Sequence, residues 1–398
     1  MEPHPLVAPD PDDPAYRLVT LVHADPPQGA QPDALGGAPY DGVLALLHTV
    51  TDKDRHAGDL TPHLMTRRDD GRWSITYRLR ADHRASYQLY PFRGAVPGTT
   101  RSEWSHVLDH ARPDPLAPGP RLPARGSRHP ASVLSLPEAP AQPYVQRRSD
   151  VPRGRTLARE VAGRRVDVHL PAGHDSAHGH GSAHGRGRAH GPGPYPVAVL
   201  LDGEMWGEVL AVGDTLDNLT ADGVIPPAVA LLVHTMGAGR PTDLSCNPDF
   251  VDLLADRLLP WAAREFAATT DPAATVIAGQ SAGGLTAAYA AFRRPERFGN
   301  ALSQSGSFWW PDGTEFDAGS EWLTRQFAGG ERRAARFYVE VGLQEWMLLP
   351  QNRHLRDVLT ARGYDLAYRE FNGGHDYACW RGGLADGLGH LLGRQPCG

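Results

Sequence analysis

At 398 residues, with 40% hydrophobic and 22% charged side chains, the chain is too long for one average domain and apolar enough to bury sizeable cores, which excludes wholesale disorder. A formal net charge of −6 excludes general nucleic-acid or anionic-membrane binding. An anionic ligand must therefore be gripped by local arginines, since lysine occurs only at Lys53.

The N-terminus, Met1-Glu2-Pro3-His4-Pro5, is acidic and broken by proline, with no basic region leading into an apolar run, so no signal peptide is expected. No apolar run approaches the roughly 18 residues that a membrane span needs. Cys246, Cys379 and Cys397 are too few and too scattered for a disulfide framework or a zinc motif, which makes a reducing cytoplasm the expected compartment. Residues 43–47 form a continuous apolar run that reads as a buried strand, while residues 73–79 and 85–90 alternate with period two, as half-buried antiparallel strands do. Asp69-Asp70-Gly71-Arg72 supplies a turn between them and the run before. Residues 1–111 are accordingly predicted to form an immunoglobulin-like β-sandwich, and the proline-dense residues 112–150 an extended interdomain connector.

From residue 151 to 398 the pattern becomes α/β. Residues 165–171, 196–203, 228–233, 275–279, 336–342 and 366–371 read as strands, several of them near-continuous apolar runs of the kind that buried parallel strands require. Helical spacing at 250–265 and 285–292 falls between them, predicting a mostly parallel sheet covered on both faces. Residues 173–193, with His174, His178, His180, His184 and His190 among Gly, Ser and Ala, read as an expanded flexible surface loop in preference to a metal-binding tract.

Gly279-Gln280-Ser281-Ala282-Gly283-Gly284 matches G-x-S-x-G between a strand and a helix, the context of a nucleophile elbow in an α/β-hydrolase. Ser281 is the predicted nucleophile, and the Ala282 N–H, at the positive end of the new helix, is a predicted oxyanion donor. A serine hydroxyl needs a base. His375, in Gly373-Gly374-His375-Asp376 after the last strand, stands in the right chain order for it. Glu345, in the loop after 336–342, is the favoured acid, with Asp357 and Asp376 as alternatives and a Ser–His dyad also open. The second oxyanion donor is expected from the N–H groups of Glu204, Met205 or Trp206, after the strand ending Leu201-Asp202-Gly203.

These residues resemble those of bacterial enterochelin (enterobactin) esterases. The likeness lies in Leu200-Leu201-Asp202-Gly203-Glu204-Met205-Trp206, Cys246-Asn247-Pro248-Asp249-Phe250, the serine motif, Ser303-Gln304-Ser305-Gly306-Ser307-Phe308-Trp309-Trp310 and Gly373-Gly374-His375-Asp376-Tyr377-Ala378-Cys379-Trp380-Arg381. The resemblance implies a serine esterase that opens the ester bonds of a cyclic catecholate trilactone siderophore, usually as its ferric complex. It carries Ser281, His375 and Glu345 over as nucleophile, base and acid. No cofactor and no protein-bound metal are implied, because the iron belongs to the substrate. Where the family commonly carries an acidic segment after the strand ending at Val233, this chain reads His234-Thr235-Met236-Gly237-Ala238-Gly239-Arg240. A ferric tris-catecholate is polyanionic and aromatic-walled. Arg240 and Arg381 are therefore candidate anion contacts, and Trp206, Trp309, Trp310 and Trp380 candidate stacking surfaces. The rival readings are a general carboxylesterase or acyltransferase on the same fold, and a siderophore-binding protein without turnover. Monomer and homo-oligomer are both compatible with the sequence.

Overall fold

Apolar runs bounded by turn residues set the strands in both halves of the chain. The computed structural model describes residues 4–25, 39–124, 126–174, 194–312 and 320–393. Apart from Gly173 and His174, the predicted Gly/His loop lies outside the described residues, as does Cys397. The fold separates into two units, one of Met1–Ala141, Gly342–Glu345 and Phe371–Cys379, the other of Gln142–Val341, Trp346–Glu370 and Trp380–Gly398.

In the first unit, eight strands form two four-stranded antiparallel sheets. They are β1 (Leu6–Pro9), β2 (Tyr16–Ala24), β3 (Gly42–Leu47), β4 (Thr66–Arg67), β5 (Arg72–Arg80), β6 (Arg84–Phe92), β7 (Arg121–Leu122) and β8 (Ala131–Ser135). The orders are β1-β2-β5-β4 and β3-β6-β8-β7. A single apolar cluster draws Val19 and Leu21 from β2, Trp73 and Leu79 from β5, Val43 and Leu47 from β3, and Tyr87 and Leu89 from β6, so the sheets bury one face each. The alternation expected for residues 73–79 is present in β5. Strand β6 departs from it and is almost wholly buried. The cause is the helix Arg101–His110, whose Trp104 and Val107 cover Tyr90 and Phe92 on the other face.

The span read as a connector is drawn into this unit as far as β8. Buried Asp114 accepts from the Tyr87 hydroxyl at 2.8 Å, pairs with His4 at 2.8 Å and donates its own N–H to Ser132 Oγ at 3.0 Å. Proline removed backbone donors here, but β7 and β8 still pair antiparallel and β8 joins β6.

The second unit holds an eight-stranded sheet of β9 (Arg155–Val161), β10 (Arg164–Leu170), β11 (Val197–Leu201), β12 (Val229–Val233), β13 (Thr275–Gln280), β14 (Asn300–Gln304), β15 (Arg336–Gly342) and β16 (Asp365–Phe371). Its order is β16-β15-β14-β13-β11-β12-β10-β9. Strands β11 to β15 pair in parallel, and β9 and β10 are antiparallel, giving a mixed, mostly parallel sheet. Every residue of β11, β12 and β13 is buried, which is why β11 and β12 read as unbroken apolar runs and β13 as a short apolar run between Thr275 and Gln280. The helix expected at 250–265 forms as Pro248–Leu253, a wide turn at Leu254–Leu258 and Leu259–Phe266, with the Asn247 side chain capping the N–H groups of Asp249 and Phe250. Strand β14 escaped the sequence reading because Asn300, Ser303 and Gln304 are polar yet buried. Asn300 Nδ2 donates to the carbonyls of Pro272, Ala273 and Thr275, which compensates its desolvation.

Candidate active site

The predicted site residues fall into two constellations, one in each unit. In the second unit, Ser281 sits between β13 and the helix Ala282–Arg293 with φ 58° and ψ −122°, a region that L residues avoid at a cost of about 1–3 kcal/mol. Its N–H donates to the Gln304 carbonyl at 3.0 Å, and its own carbonyl accepts from Ser307 at 3.0 Å, so the strained residue is held on both sides. A Cβ at Gly279 would strike the Gly283 backbone, and one at Gly284 would strike Ser303 and Gly306. Only glycine lets strand, turn and helix approach this closely. Ser281 Oγ lies 3.3 Å from Ser307 Oγ. Ala282 opens a twelve-residue helix whose first amides face away from intrahelical partners.

Beneath the serine a buried polar chain crosses five elements. Trp206 Nε1 donates to Gln280 Oε1 at 3.2 Å, Gln280 Nε2 to Gln304 Oε1 at 3.1 Å, and Gln304 Nε2 to both Glu340 Oε1 at 2.6 Å and the Trp380 carbonyl at 2.8 Å. Tyr338 OH donates to Glu340 Oε2 at 3.3 Å. A Cβ at Gly383 would collide with the Glu340 carboxylate. Burial lifts the Glu340 carboxyl to about 7, with nearby Asp386 adding to the rise and the Gln304 hydrogen bond opposing it. A carboxyl raised on folding stabilises the fold fully below its unfolded value and loses that contribution as pH climbs through the folded one. The loss is on the order of 3 kcal/mol. Urea unfolding of the wild type is therefore expected to show falling stability between pH 5 and 8. Glu340→Gln, which keeps an acceptor for Gln304, should flatten that slope and be the more stable protein at pH 8.

In the first unit, His375 Nδ1 lies 2.6 Å from Glu345 Oε2, and the Glu345 side chain is 1% exposed. Its other oxygen accepts the Gly342 N–H at 2.8 Å. Glu345 comes three residues after β15, and His375 four after β16. Their loops are joined by Leu343 N–H to the Phe371 carbonyl at 2.9 Å and Gln344 N–H to the Gly373 carbonyl at 3.0 Å. Asp376 accepts from the N–H groups of Ser86 at 2.5 Å and Ala378 at 2.8 Å. Asp357 lies on the helix Leu349–Ala361, paired with Arg356 at 2.8 Å.

The loop after β11 is built differently from the expectation. The N–H groups of Met205 and Trp206 donate to the Asp202 carbonyl at 2.9 and 3.4 Å, so both are engaged within the loop. The Glu204 carboxylate accepts from the N–H groups of Thr235 at 3.2 Å and Met236 at 2.6 Å. Arg240 grips the fully buried Asp202 with two bonds, at 2.8 and 2.6 Å, and so serves this loop instead of standing as a dedicated anion contact. Asp202 was not singled out in the sequence. Its signal was a carboxylate at a strand end that only an arginine could neutralise there. Trp206 and Trp380 are 1% and 3% exposed, so neither offers a ring face for stacking. Trp380 Nε1 donates to Ser305 Oγ at 3.0 Å. Trp309 and Trp310 are half-buried, with Trp310 edge-on to Trp322 at 5.7 Å. Arg381 Nε donates to Gln142 Oε1 at 3.1 Å. Among the described residues, one cluster brings three possible metal ligands within 4.8 Å, Asp167, Glu208 and His234. The Arg165 guanidinium already lies against both carboxylates, at 3.3 and 2.9 Å, and supplies their countercharge.

Known proteins resemble this chain over most of its length. The family model described as "Putative esterase" matches residues 164–391, and "Enterochelin esterase, N-terminal" matches residues 29–145. The iron(III) enterobactin esterase of Escherichia coli (strain K12) is 34% identical over 378 residues, covering 89% of this chain and 88% of that protein. The iron(III) salmochelin esterase of Escherichia coli O6:H1 is 30% identical, covering 89% and 85%. Among solved structures, the enterobactin esterase of Shigella flexneri, in the presence of enterobactin, superposes with a TM-score of 0.77 at 30% identity, covering 97% of this chain and 95% of that one. The ferric enterobactin esterase of Salmonella typhimurium gives 0.79 at 30% identity, with coverage of 97% and 95%.

Proposed function

The chain belongs to the iron(III) enterobactin esterase family, and from that premise we propose that it hydrolyses the ester bonds of an enterobactin-type catecholate trilactone, with Ser281 as nucleophile, His375 as base and Glu345 as orienting acid. The observation that carries the reading is the Ser281 backbone, held at φ 58° and ψ −122° between a strand and a helix N-terminus. Ser281, Glu345 and His375 each follow the carboxyl end of a strand of one sheet, β13, β15 and β16, where open α/β sheets keep their chemistry. The second unit is read as an α/β-hydrolase and the paired antiparallel sheets of the first as an immunoglobulin-like sandwich.

In the reaction, His375 Nε2 takes the Ser281 hydroxyl proton as Oγ attacks an ester carbonyl. The N–H groups of Ala282 and Glu204 receive the developing oxyanion. The imidazolium returns its proton to the departing alkoxide. Water, activated by the same imidazole, then frees the acyl chain from the enzyme, as the linear trimer after the first ring opening and as shorter dihydroxybenzoyl-amino acid units in later rounds. Trp309, Trp310 and Arg381 are the proposed contacts for the aromatic, anionic substrate. Iron enters as cargo of that substrate, and the compartment proposed for the reaction is the cytoplasm. Among the described residues no helix is long and apolar enough to cross a membrane.

Mass analysis of products from ferric and iron-free enterobactin, beside a small aryl ester, tests this reading. Linear trimer, dimer and monomer should appear in turn, with kcat/KM well above that for the aryl ester. An untouched trilactone with a rapidly cleaved aryl ester would make the chain a general carboxylesterase. Tight binding without product would make it a binding protein.

A further inference from the structure

Both main-chain polar groups of His375 are held by side chains from two consecutive residues more than 300 positions earlier. His375 N–H donates to Thr49 Oγ1 at 2.8 Å, across a separation of 326 residues. The His375 carbonyl accepts from His48 Nε2 at 2.7 Å. A carbonyl oxygen can only accept, so His48 carries its proton on Nε2. Burial pulls the His48 imidazole down, but Asp52, Asp376 and Glu345, with the bond to the His375 carbonyl, hold it above its ordinary range.

The surroundings fix this pair. Thr49 is buried and sits at φ 70°, a value that a β-branched residue keeps only when its neighbours require it. Its N–H donates to Asp52 Oδ2 at 3.0 Å, and its carbonyl accepts from Lys53 at 3.0 Å, anchoring it to the helix Val50–His56. A Cβ at Gly374 would overlap the Thr49 side chain, so glycine there lets the histidine loop close on it. The Ser86 carbonyl accepts the His48 N–H at 3.0 Å, and Arg84 N–H donates to the Asn372 carbonyl at 3.0 Å.

We infer that Thr49 and His48 are positioning residues for His375, fixing the backbone from which its imidazole reaches Glu345. This rests on the serine-esterase reading above. The ring can be aimed at Glu345 only as well as its own peptide groups are held. A displacement of about 1 Å in a catalytic group can cost about a hundredfold in rate.

The test is steady-state hydrolysis of ferric enterobactin by Thr49→Val, Thr49→Ser, His48→Ala and His48→Gln, with thermal unfolding and substrate binding measured on each. Thr49→Val preserves shape and deletes the acceptor; it should lower kcat by about 30- to 100-fold with KM within about threefold of wild type. Thr49→Ser, which keeps the hydroxyl, should recover to within about threefold of wild-type kcat. His48→Gln, which keeps a donor near Nε2, should retain most of the kcat that His48→Ala loses. If Thr49→Val unfolds, the His48 pair carries the test alone. The inference is overturned if a folded Thr49→Val turns over like wild type, if its loss lies in KM, or if Gln and Ala at position 48 behave alike. Ser281→Ala separates the two levels. Full turnover in that variant sinks the esterase reading, whereas a dead Ser281→Ala beside a normal Thr49→Val sinks only the positioning role.

Discussion

Ser281→Ala and His375→Ala are each expected to lower kcat on ferric enterobactin by about 10⁵- to 10⁶-fold, with substrate binding kept within a few fold. The size follows from the division of labour in a serine triad. Without Oγ no acyl-enzyme forms, and without the imidazole the hydroxyl keeps its proton at neutral pH. What survives is the oxyanion site and binding, worth roughly 10³–10⁴ over water. The Ser281 variant removes one oxygen from a site whose backbone is fixed by Gln304 and Ser307, so thermal stability should hold. Equal turnover in either variant would mean that the ester is opened elsewhere.

Glu345→Gln is expected to cost about 10³- to 10⁴-fold in kcat, although the side chains are nearly isosteric. The carboxylate now makes two bonds as an acceptor, one to the Gly342 N–H at 2.8 Å and one at His375 Nδ1 at 2.6 Å. An amide has one oxygen. If that oxygen stays with Gly342, the amide presents N–H groups to Nδ1, and the imidazole must carry its proton on Nε2. In that tautomer it cannot take the proton from Ser281. Circular dichroism should show an intact fold, and stopped-flow or mass-quench assays the lost rate. Asp376→Asn serves as the contrast, because that carboxylate binds the N–H groups of Ser86 and Ala378. A near-normal Glu345→Gln beside a crippled Asp376→Asn would reassign the acid.

The serine elbow was legible because a strained turn needs small neighbours in a fixed order, and Gly279, Gly283 and Gly284 state that requirement locally. The buried strands β11, β12 and β13 were legible for a similar reason, since burial on both faces leaves an apolar run. Strand β14 was not, because its polar residues are buried with partners supplied by other segments. Covering of β6 by the helix Arg101–His110 likewise depends on a fold that its alternation cannot announce. Arg240 and Trp206 matched the chemistry of an anionic, aromatic substrate, yet Asp202 and Gln280 hold them in the scaffold. Thr49 gives no local sign of its place. Only the fold reveals that a β-branched residue near the start of the chain holds the backbone of a histidine near its end.

The central claim is that an imidazole at position 375 makes the hydroxyl at position 281 nucleophilic. The direct measurement is the rate at which a fluorophosphonate reagent becomes bonded to the protein, read by peptide mass in the wild type and in His375→Ala. A single label is expected, on Ser281, forming at least about 10³-fold more slowly in the variant. Labelling at the same rate in both proteins, or on any residue other than Ser281, would contradict it.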